Sequence, residues 1–371
     1  MIYLDYNATA PIKPAVRAAL MEAMERCGNP SSTHRFGRIA RRHMDEARAW
    51  VATMVGVKPA QVIFTSGGTE ANYLALHGIA ASQIITSSIE HDSVLANSPM
   101  AQRLPVGRQG IVDFEAAAEI LKNAPTGSLV STMLVNNETG VIQPITEIAR
   151  LAKFYGHKVH SDAVQAAGRL PLDFTELGVD ALALSAHKIG GPPGVGALIV
   201  DEKLVLQAVQ RGGGQEMNRR AGTENVIGII GFGVASQLAA DDMRDTPRLA
   251  ALRDHLQQRL LDIAGDAAVV LGADAPRVAN TLCIAMRGLS SETQVAAMDL
   301  AGIAVSAGSA CSSGKVKASQ VVRAMGYTDD VAGSVLRISL GWNTADEDIE
   351  RCIENWQVLF ERVQKHTSQA A

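Results

Sequence analysis

A lysine that could carry covalent chemistry follows an apolar run and precedes a glycine-rich one. The segment Ser185-Ala-His-Lys188 ends the run that begins at Ala181 and leads into Gly190-Gly-Pro-Pro-Gly-Val-Gly196. An amine at the end of a buried strand is poorly solvated, which lowers its pKa and frees it to form a Schiff base with an aldehyde. An ordinary surface lysine in a loop would show the same local pattern, so the prediction of a reactive Lys188 depends on what surrounds it.

A second candidate is a phosphate cradle at Gly67-Gly68-Thr69-Glu70, which follows the apolar run Gln61–Ser66 and opens a helical segment. Free backbone amides at a helix N-terminus, with the Thr69 hydroxyl beside them, favour an anion. Taken alone, the same residues are equally a plain helix start. Because this segment and Lys188 follow strands of one predicted sheet, a single phosphate-bearing aldehyde could reach both.

A third candidate is the acidic side chain in His160-Ser-Asp162-Ala-Val-Gln165, at the end of another predicted strand. Such a carboxylate can keep a ring nitrogen protonated, which pyridoxal phosphate needs to act as an electron sink. Asp162 could instead be a helix cap. Its position beside the predicted Lys188 site favours the cofactor role.

Short apolar runs separated by helical patterns must position these residues. The runs are brief, partly β-branched and bounded by Gly, Asn, Asp or Ser, which is typical of strands. They are Gln61–Ser66, Gln83–Thr86, Leu129–Val135, Lys158–Ser161, Ala181–Ser185 and Val195–Val200. The clearest helix is Ile145–Tyr155, introduced by Pro144 and ended by Gly156. This alternation predicts an α/β fold with a mostly parallel sheet, whose ligand groups gather at the carboxyl ends of the strands.

Two domains are predicted from the 371 residues. Residues 16–240 form the large domain, and residues 1–15 with 241–371 form a smaller α+β domain. The smaller domain has predicted strands at Thr281–Met286 and Val335–Leu340 and a helix at Glu347–Val363. A helical pattern of leucines (Leu249, Leu252, Leu256 and Leu260) begins just after the predicted join.

Composition limits the class of protein. The chain is 47% hydrophobic with a formal charge of -4, so it is globular and has no global charge that favours nucleic acid or an anionic membrane. Four cysteines without regular spacing argue against a disulfide framework and for a reducing compartment. The N-terminal residues lack a secretion signal and no segment keeps 18 apolar residues together, so we expect a cytoplasmic protein.

The motifs together resemble those of NifS/IscS-like cysteine desulfurases, which are fold-type-I pyridoxal phosphate enzymes of the class V aminotransferase group. The resemblance runs from about Tyr3 to Glu350 and rests on the order of many short motifs rather than on any one. They are Leu4-Asp5-Tyr6-Asn7-Ala-Thr9, Asn29-Pro-Ser-Ser-Thr-His34, Thr65-Ser-Gly-Gly-Thr-Glu70, Glu90-His91, Asn136-Asn-Glu-Thr-Gly140, Asp162-Ala-Val-Gln165, Ser185-Ala-His-Lys188, Arg220-Ala-Gly-Thr223, Gly308-Ser-Ala-Cys311 and Leu336-Arg-Ile-Ser339.

The resemblance implies a role for each matching residue. Lys188 would hold the cofactor covalently and then move the substrate α-proton. Asp162 would pair with the pyridine nitrogen and Gln165 with the ring hydroxyl. His91 would stack on the ring and assist proton transfer, although without the surrounding pattern a core histidine or helix cap would be the better interpretation. The remaining implied contacts are to phosphate (Gly68, Thr69, Ser185, His187 and, across a dimer interface, Thr223), to cofactor and substrate (Asn137) and to the substrate carboxylate (Arg337).

Cys311 decides the reaction within this group. It lies in Ser306-Ala-Gly-Ser-Ala-Cys-Ser-Ser-Gly314, a run of small residues that predicts a mobile, exposed loop. The resemblance implies that its thiolate takes sulfur from L-cysteine, leaving a persulfide and alanine. Lys315 and Lys317 would raise the thiolate fraction. Cys27, Cys283 and Cys352 are predicted to be small buried hydrophobic residues.

Partners and alternatives follow from the same resemblance. The long interval between Cys311 and Arg337 is similar to that of the longer-loop class, which passes sulfur to acceptor proteins, typically an iron-sulfur scaffold. We expect a homodimer, no metal in the isolated enzyme, and no nucleic acid or membrane partner. A selenocysteine lyase or an aminotransferase on this fold, which would need no Cys311, and a non-catalytic sulfur-trafficking protein are the alternatives. Ala10 and the Ser-Ser-Gly-Lys after Cys311 depart from the commoner family pattern and leave the acceptor open.

Overall fold

The computed structural model describes residues 1–308 and 318–370. Its strands are β1 (Ile2–Tyr3), β2 (Val62–Thr65), β3 (Ile84–Ser87), β4 (Gln102–Leu104), β5 (Leu129–Ser131), β6 (Lys158–Asp162), β7 (Ala181–Ser185), β8 (Gly196–Val200), β9 (Ala268–Val270), β10 (Thr281–Met286), β11 (Ile303–Ala304), β12 (Ser306–Ala307) and β13 (Val335–Ser339). All six strands predicted for the large domain and both predicted for the small one are confirmed.

Helices connect most of these strands. They are α1 (Pro14–Met24), α2 (Arg35–Met54), α3 (Gly68–Gly78), α4 (Asp92–Leu95), α5 (Phe114–Asn123), α6 (Ile145–Phe154), α7 (Phe174–Leu177), α8 (Gln215–Asn218), α9 (Val226–Arg244), α10 (Thr246–Ala264), α11 (Ser291–Leu300), α12 (Gln320–Ala324), α13 (Asp329–Ala332) and α14 (Asp346–Ala370). The predicted helix after Pro144 is confirmed as α6, which buries Ile145, Ile148, Ala149 and Ala152.

The large sheet is mostly parallel, as predicted. Its order is β2-β8-β7-β6-β5-β3-β4, and β8 runs opposite to its two neighbours while the remaining pairs are parallel. In β7, Leu182 and Leu184 pack into one hydrophobic cluster and Ala181 and Ala183 into another. Because successive side chains of a strand point to opposite faces, this sheet is buried on both faces. Because β8 is the one strand of this sheet that runs opposite to the rest, the carboxyl ends of the other six strands lie at one edge.

A second hydrophobic core forms around an antiparallel sheet of order β12-β13-β10-β9. It combines Ile2 and Leu4 with residues between Leu252 and Phe360, including the predicted helical leucines Leu252, Leu256 and Leu260. Helix α9 runs through position 240/241 to Arg244, and α10 begins at Thr246. The break between the two helices thus lies at Asp245, a few residues after the predicted domain join.

Helix α9 is long and apolar enough to cross a membrane by length and composition. It packs along α1 and α2 inside the first core, where Ile229, Phe232 and Ala235 are buried. Its apolar composition is therefore explained by its position in the protein interior.

Candidate active site

Lys188 occupies the strand-end position that its sequence predicts. Strand β7 ends at Ser185, and one turn of 3-10 helix, Ala186–Lys188, carries the side chain beyond the sheet edge. Lys188 Nζ donates hydrogen bonds to the carbonyl oxygens of Asn7 (2.5 Å) and Ala8 (2.9 Å). The N-terminal segment thereby fixes the direction of the amine.

Ten residues predicted for the site line one cavity of about 290 Å³ at the carboxyl edge of the large sheet. They come from different strand ends and from β13: Gly68, Thr69, His91, Asn137, Asp162, Gln165, Ser185, His187, Lys188 and Arg337. The large sheet and the small domain therefore both contribute to this cavity.

Asp162 is buried at the end of β6, and each oxygen of its carboxylate accepts one hydrogen bond. Oδ1 accepts from the Val164 amide at 2.9 Å, and Oδ2 accepts from Asn72 Nδ2 at 2.7 Å. The arrangement suits a carboxylate that faces a protonated ring nitrogen. The alternative of a helix cap is not supported, because the Oδ1 contact is an Asx-type turn bond and the next helix, α7, begins only at Phe174.

The phosphate-cradle residues also meet at this cavity. Gly68 begins α3, and a Cβ added there would lie 2.7 Å from Val164 Cγ2, so only glycine lets the backbone pass so close. Ser185 is buried and its Oγ has no hydrogen-bond partner among the described residues. Burial and the neighbouring Lys188 charge lower the pKa of His187 to about 4, so its ring is neutral at pH 7. A helix N-terminus and an unused hydroxyl donor fit the phosphate of pyridoxal phosphate, and Asp162 and Lys188 fit its ring nitrogen and aldehyde.

His91 lies one turn after β3 and caps the short helix α4. Its Nδ1 accepts from the Ser93 amide at 3.0 Å and lies 2.8 Å from Ser93 Oγ. The alternative interpretation of His91 as a helix cap is therefore confirmed, because Nδ1 caps α4. The ring also lines the cavity, so the capping contact orients a residue of the site.

Arg337 projects from β13 and is almost completely buried. Its Nη2 donates to Asp5 Oδ1 at 2.8 Å and its Nη1 to the Asn137 carbonyl at 3.1 Å. Nε is buried and has no partner among the described residues. A guanidinium with an unused donor can still bind a carboxylate.

Asn136 and Asn137 are adjacent in the sequence but have different roles, the first structural and the second at the cavity. Asn136 is buried and its Oδ1 accepts from the amides of Glu138 and Thr139, which shapes the turn after β5. Asn137 lines the cavity, and Gln165 Nε2 donates to the Asn7 carbonyl at 2.9 Å. Asn7 is thus a shared acceptor for Gln165 and Lys188.

Thr223 does not line this cavity. It lies on a separate cavity of about 70 Å³ with Ser66 and Arg220, and Arg220 pairs with Glu70 of α3 at 2.7 Å. The loop of residues 212–223 includes the single turn α8, in which Glu216, Met217 and Asn218 have positive φ. A buried ion pair, Arg48 with Glu216 at 2.7 Å, holds that turn.

Cys311, Lys315 and Lys317 lie outside the described residues. Cys283 and Cys352 are buried, as predicted, and burial raises the pKa of both thiols, that of Cys352 to about 12. The prediction for Cys27 is wrong because it is exposed. Helix α1 ends at Met24, so Cys27 lies on the irregular segment beyond it rather than on an inward helix face.

Several lining residues were not singled out from the sequence as site residues. Asn7, Ala8, Asn72, Ser93 and Met133 all border the cavity. Asn72 follows Thr69 by three residues, so both lie on one face of α3, and this spacing was an available signal. Ser93 follows His91 by two, the spacing of a side chain that bonds a nearby backbone amide.

Glu90 is a buried carboxyl next to the site. Its Oε1 accepts from Ser87 Oγ and from the Met133 amide, while Oε2 has no partner among the described residues. Burial raises the pKa of Glu90 to about 8. The same cause lowers the pKa of His160 to about 4. Both groups are therefore predominantly neutral at pH 7.

Comparison with known proteins places the whole chain in one group. The aminotransferase class-V family matches residues 2–352. The chain is 38% identical to the cysteine desulfurase IscS of Dictyoglomus turgidum, over 98% of this chain and 95% of that protein. It is 41% identical to a cysteine desulfurase of Cereibacter sphaeroides, over 95% and 94% respectively. The X-ray structure of a NifS-like protein from Rickettsia africae superposes with a TM-score of 0.91 at 36% identity, covering 97% of this chain and 99% of that one.

Proposed function

This chain belongs to the class-V aminotransferase family and has the fold-type-I architecture and function of a cysteine desulfurase, and we propose that its active site is the cavity around Lys188. The observation that carries the assignment of the site is the meeting of Lys188, Asp162, His91 and Arg337 at one cavity, although they come from four distant parts of the chain.

The cofactor of the proposed site is pyridoxal phosphate. When bound, it supplies an aldehyde for amines and a cationic ring that accepts electrons. Gly68, Thr69, Ser185 and neutral His187 bind the phosphate. Asp162 holds the ring nitrogen in its protonated form, and Gln165 binds the ring hydroxyl. His91 would lie against the cofactor ring and take part in proton transfer.

The substrate of the proposed reaction is L-cysteine. Arg337 would bind its carboxylate through N–H donors that Asp5 and Asn137 leave unused, and Asn137 would contact both cofactor and substrate. Lys188 Nζ would remove the α-proton of the substrate and carry it within the site. The carbonyl groups of Asn7 and Ala8 hold this amine at the cavity edge.

Cys311 is the proposed nucleophile. Its thiolate attacks the substrate sulfur, so that an S–S bond forms while the Cβ–S bond breaks and Cβ takes up a proton. The balance is L-cysteine plus enzyme thiol giving L-alanine plus enzyme persulfide. Burial disfavours the thiolate of Cys283 and Cys352, which supports Cys311 in this role.

The wider assignments are part of the same proposal. Residues 16–240 form the cofactor-binding domain, and residues 1–15 with 241–371 form the domain that carries Cys311, in keeping with the two hydrophobic cores. The enzyme is a cytoplasmic homodimer in which Thr223 reaches the partner's phosphate site. It passes sulfur to an acceptor protein such as an iron-sulfur scaffold or supplies other thio-cofactors.

The deciding experiment incubates the purified, cofactor-loaded protein with L-cysteine and a reductant and measures alanine and sulfide. Equal yields of the two support the proposal. Formation of pyruvate, or amino transfer to a keto acid, would redirect the assignment to elimination or transamination.

A further inference from the structure

Two polar side chains outside the proposed set connect Asp162 with His91. Asn72 lies on α3 and is 1% exposed, and Ser93 lies in the first turn of α4 and is 6% exposed. Asn72 Nδ2 lies 2.7 Å from Asp162 Oδ2 and 2.9 Å from Ser93 Oγ. Ser93 Oγ in turn lies 2.8 Å from His91 Nδ1. These contacts form one continuous chain of hydrogen bonds.

The direction of each bond follows from which groups can donate. An ionised carboxylate only accepts, so the Asn72 amide must present its NH₂ group to Asp162. The second proton of that NH₂ group points to Ser93 Oγ. The Ser93 hydroxyl therefore accepts from Asn72 and has its own proton left for His91 Nδ1.

The orientation of the Asn72 amide leaves its own oxygen unpaired, but the opposite orientation would be less favourable. With the NH₂ group turned to Asp162, Asn72 Oδ1 is buried without a partner among the described residues. An unpaired buried acceptor is unfavourable. The opposite orientation would place this oxygen against the carboxylate of Asp162, which is worse because neither oxygen can donate.

His91 Nδ1 receives two donors, the Ser93 hydroxyl and the Ser93 amide. A nitrogen that accepts two hydrogen bonds cannot carry a proton of its own. The neutral ring therefore has its proton on Nε2, because the bond at one ring nitrogen determines the tautomer.

We propose that Asn72 and Ser93 are positioning residues that hold the Asp162 carboxylate and the Nε2–H tautomer of His91 as one coupled unit. This inference deepens the proposed function and rests on it for its catalytic meaning. The unit gives the cavity a carboxylate for the cofactor ring and a neutral histidine that can donate from Nε2. A change at Asn72 is transmitted to His91 through the Ser93 hydroxyl.

The first test needs no cofactor and no turnover. Protein free of cofactor is labelled with ¹⁵N-histidine, and the His91 signals are assigned by their loss in His91→Gln. We expect Nδ1 to resonate as an unprotonated, hydrogen-bonded nitrogen. In Ser93→Ala this signal should move toward that of a ring nitrogen with fewer donors. In Asn72→Leu it should move in the same direction by a smaller amount, because the Ser93 hydroxyl keeps its proton but loses the donor that orients it. Ser93→Thr, which keeps the hydroxyl, should restore it.

A nearby serine provides the matched control. Ser88 Oγ is buried and has no partner among the described residues, so Ser88→Ala removes a hydroxyl of the same kind outside the chain of bonds. Its His91 spectrum should equal that of the wild type. A wild-type His91 with its proton on Nδ1, or a spectrum unchanged by Asn72→Leu, would overturn the proposal.

The second test measures coupling in the loaded enzyme. Asn72→Leu should lower kcat about tenfold, the size of one hydrogen bond to a charged group, with KM within about twofold. The double variant with Ser93→Ala should lose no more than the larger single effect, because both act through one chain. Asn72→Leu combined with Ser88→Ala should be additive. Additive losses for Asn72 and Ser93 would contradict coupling, whereas absence of alanine production in the wild type would instead refute the proposed function and leave the NMR result standing.

Discussion

Asp5 Oδ1 accepts a hydrogen bond from Arg337 Nη2 at 2.8 Å, so the predicted substrate-binding guanidinium is already paired with a carboxylate of the N-terminal segment. Ser306 Oγ donates to the other oxygen of Asp5 at 2.8 Å. The pair fixes the plane of the guanidinium, whose Nε is buried and has no partner among residues 1–308 and 318–370. Asp5 and the Asn137 carbonyl therefore orient Arg337, and the substrate carboxylate is its third, proposed acceptor.

Replacement of Arg337 by lysine tests this division. A lysine ammonium lacks the planar fork, so it cannot hold Asp5 and a substrate carboxylate in the same geometry. We expect Arg337→Lys to raise KM for L-cysteine about tenfold or more, the size of one charge-assisted hydrogen bond, with the cofactor still bound. Steady-state kinetics and the cofactor absorbance measure the two effects.

Arg253→Lys is the control for the exchange itself. Arg253 also binds a backbone carbonyl, that of Val278 at 2.9 Å, but lies outside the cavity. Its KM should stay at the wild-type value. An unchanged KM in Arg337→Lys would remove Arg337 from the substrate site.

Lys188→Ala is expected to bind pyridoxal phosphate without a covalent bond and to produce no alanine. The substitution removes the amine that extends from the end of β7 into the cavity. Loss of both nucleophile and base should reduce the rate about a thousandfold or more. In the wild type, borohydride reduction followed by peptide mapping should label Lys188. A label on another lysine, such as the buried Lys13, would refute the assignment.

Cys311→Ala should bind L-cysteine but carry no persulfide. Mass spectrometry of the protein after incubation with substrate detects the extra sulfur atom. Cys27→Ala is the matched control, because Cys27 is an exposed thiol outside the cavity, and it should keep the persulfide and the activity. Full alanine production by Cys311→Ala would point to direct elimination instead of attack by a thiol.

Glu90 predicts a pH dependence of stability. Its folded-state pKa is raised to about 8, whereas the pKa of a glutamate in an unfolded chain is about 4.3. Between these values the folded protein keeps a proton that the unfolded chain has lost, so the contribution of Glu90 to stability falls as pH rises. The effect ends above the folded pKa, where both states are ionised.

Glu90→Gln should remove this dependence, because the amide keeps the acceptor for Ser87 and Met133 and cannot ionise. The difference in Tm between variant and wild type should therefore grow in favour of the variant from pH 5 to pH 8. Calorimetry at several pH values measures it. His160 and His187 titrate in both proteins and cancel in the comparison. A difference that stays constant with pH would show that Glu90 is ionised in the folded protein throughout.

The sequence predicted most of the fold because its strands are short apolar runs with clear ends. Strands β7 and β10 have the predicted bounds. Strand β5 ends at Ser131, earlier than predicted, although Leu134 N still donates to the Asp162 carbonyl. Strand β4 was missed. It has three residues, Gln102–Leu104, two of them polar, and it pairs only with β3 at the sheet edge, so it has no apolar run to reveal it.

The candidate site was predictable where a residue follows a strand and not where it acts through a neighbour. Asp162 and Lys188 extend directly from strand ends. Asn72 and Ser93 are polar residues on helices, and only the docking of α3 against α4 shows that their side chains meet. The hydrogen bond between Arg48 and the buried Glu216 likewise joins two residues that are 168 positions apart in the sequence.

The last prediction concerns Thr223, which we propose completes the partner's phosphate site. In its own subunit, Thr223 lies on the small cavity with Ser66 and Arg220 rather than on the one that Lys188 lines. The alternative is that its hydroxyl caps helix α9. The side chain that caps α9 is instead Asn225, which accepts from the Gly228 amide at 3.0 Å. The capping role is therefore already filled, and a contact across a twofold interface is favoured.

Heterodimers of Lys188→Ala and Thr223→Ala subunits, isolated through different affinity tags, distinguish the two readings. If Thr223 acts across the interface, one site carries both defects and the other is intact, so activity should be about half that of the wild type. If Thr223 acts within its own subunit, one site lacks Lys188 and the other lacks Thr223, so activity should be about half that of the Thr223→Ala homodimer. A heterodimer of Lys188→Ala with wild type sets the scale for one working site. Heterodimer activity at about half that of the Thr223→Ala homodimer, with the heterodimer verified by mass, would contradict the shared site. A Thr223→Ala homodimer that is as active as the wild type at limiting cofactor would contradict it as well.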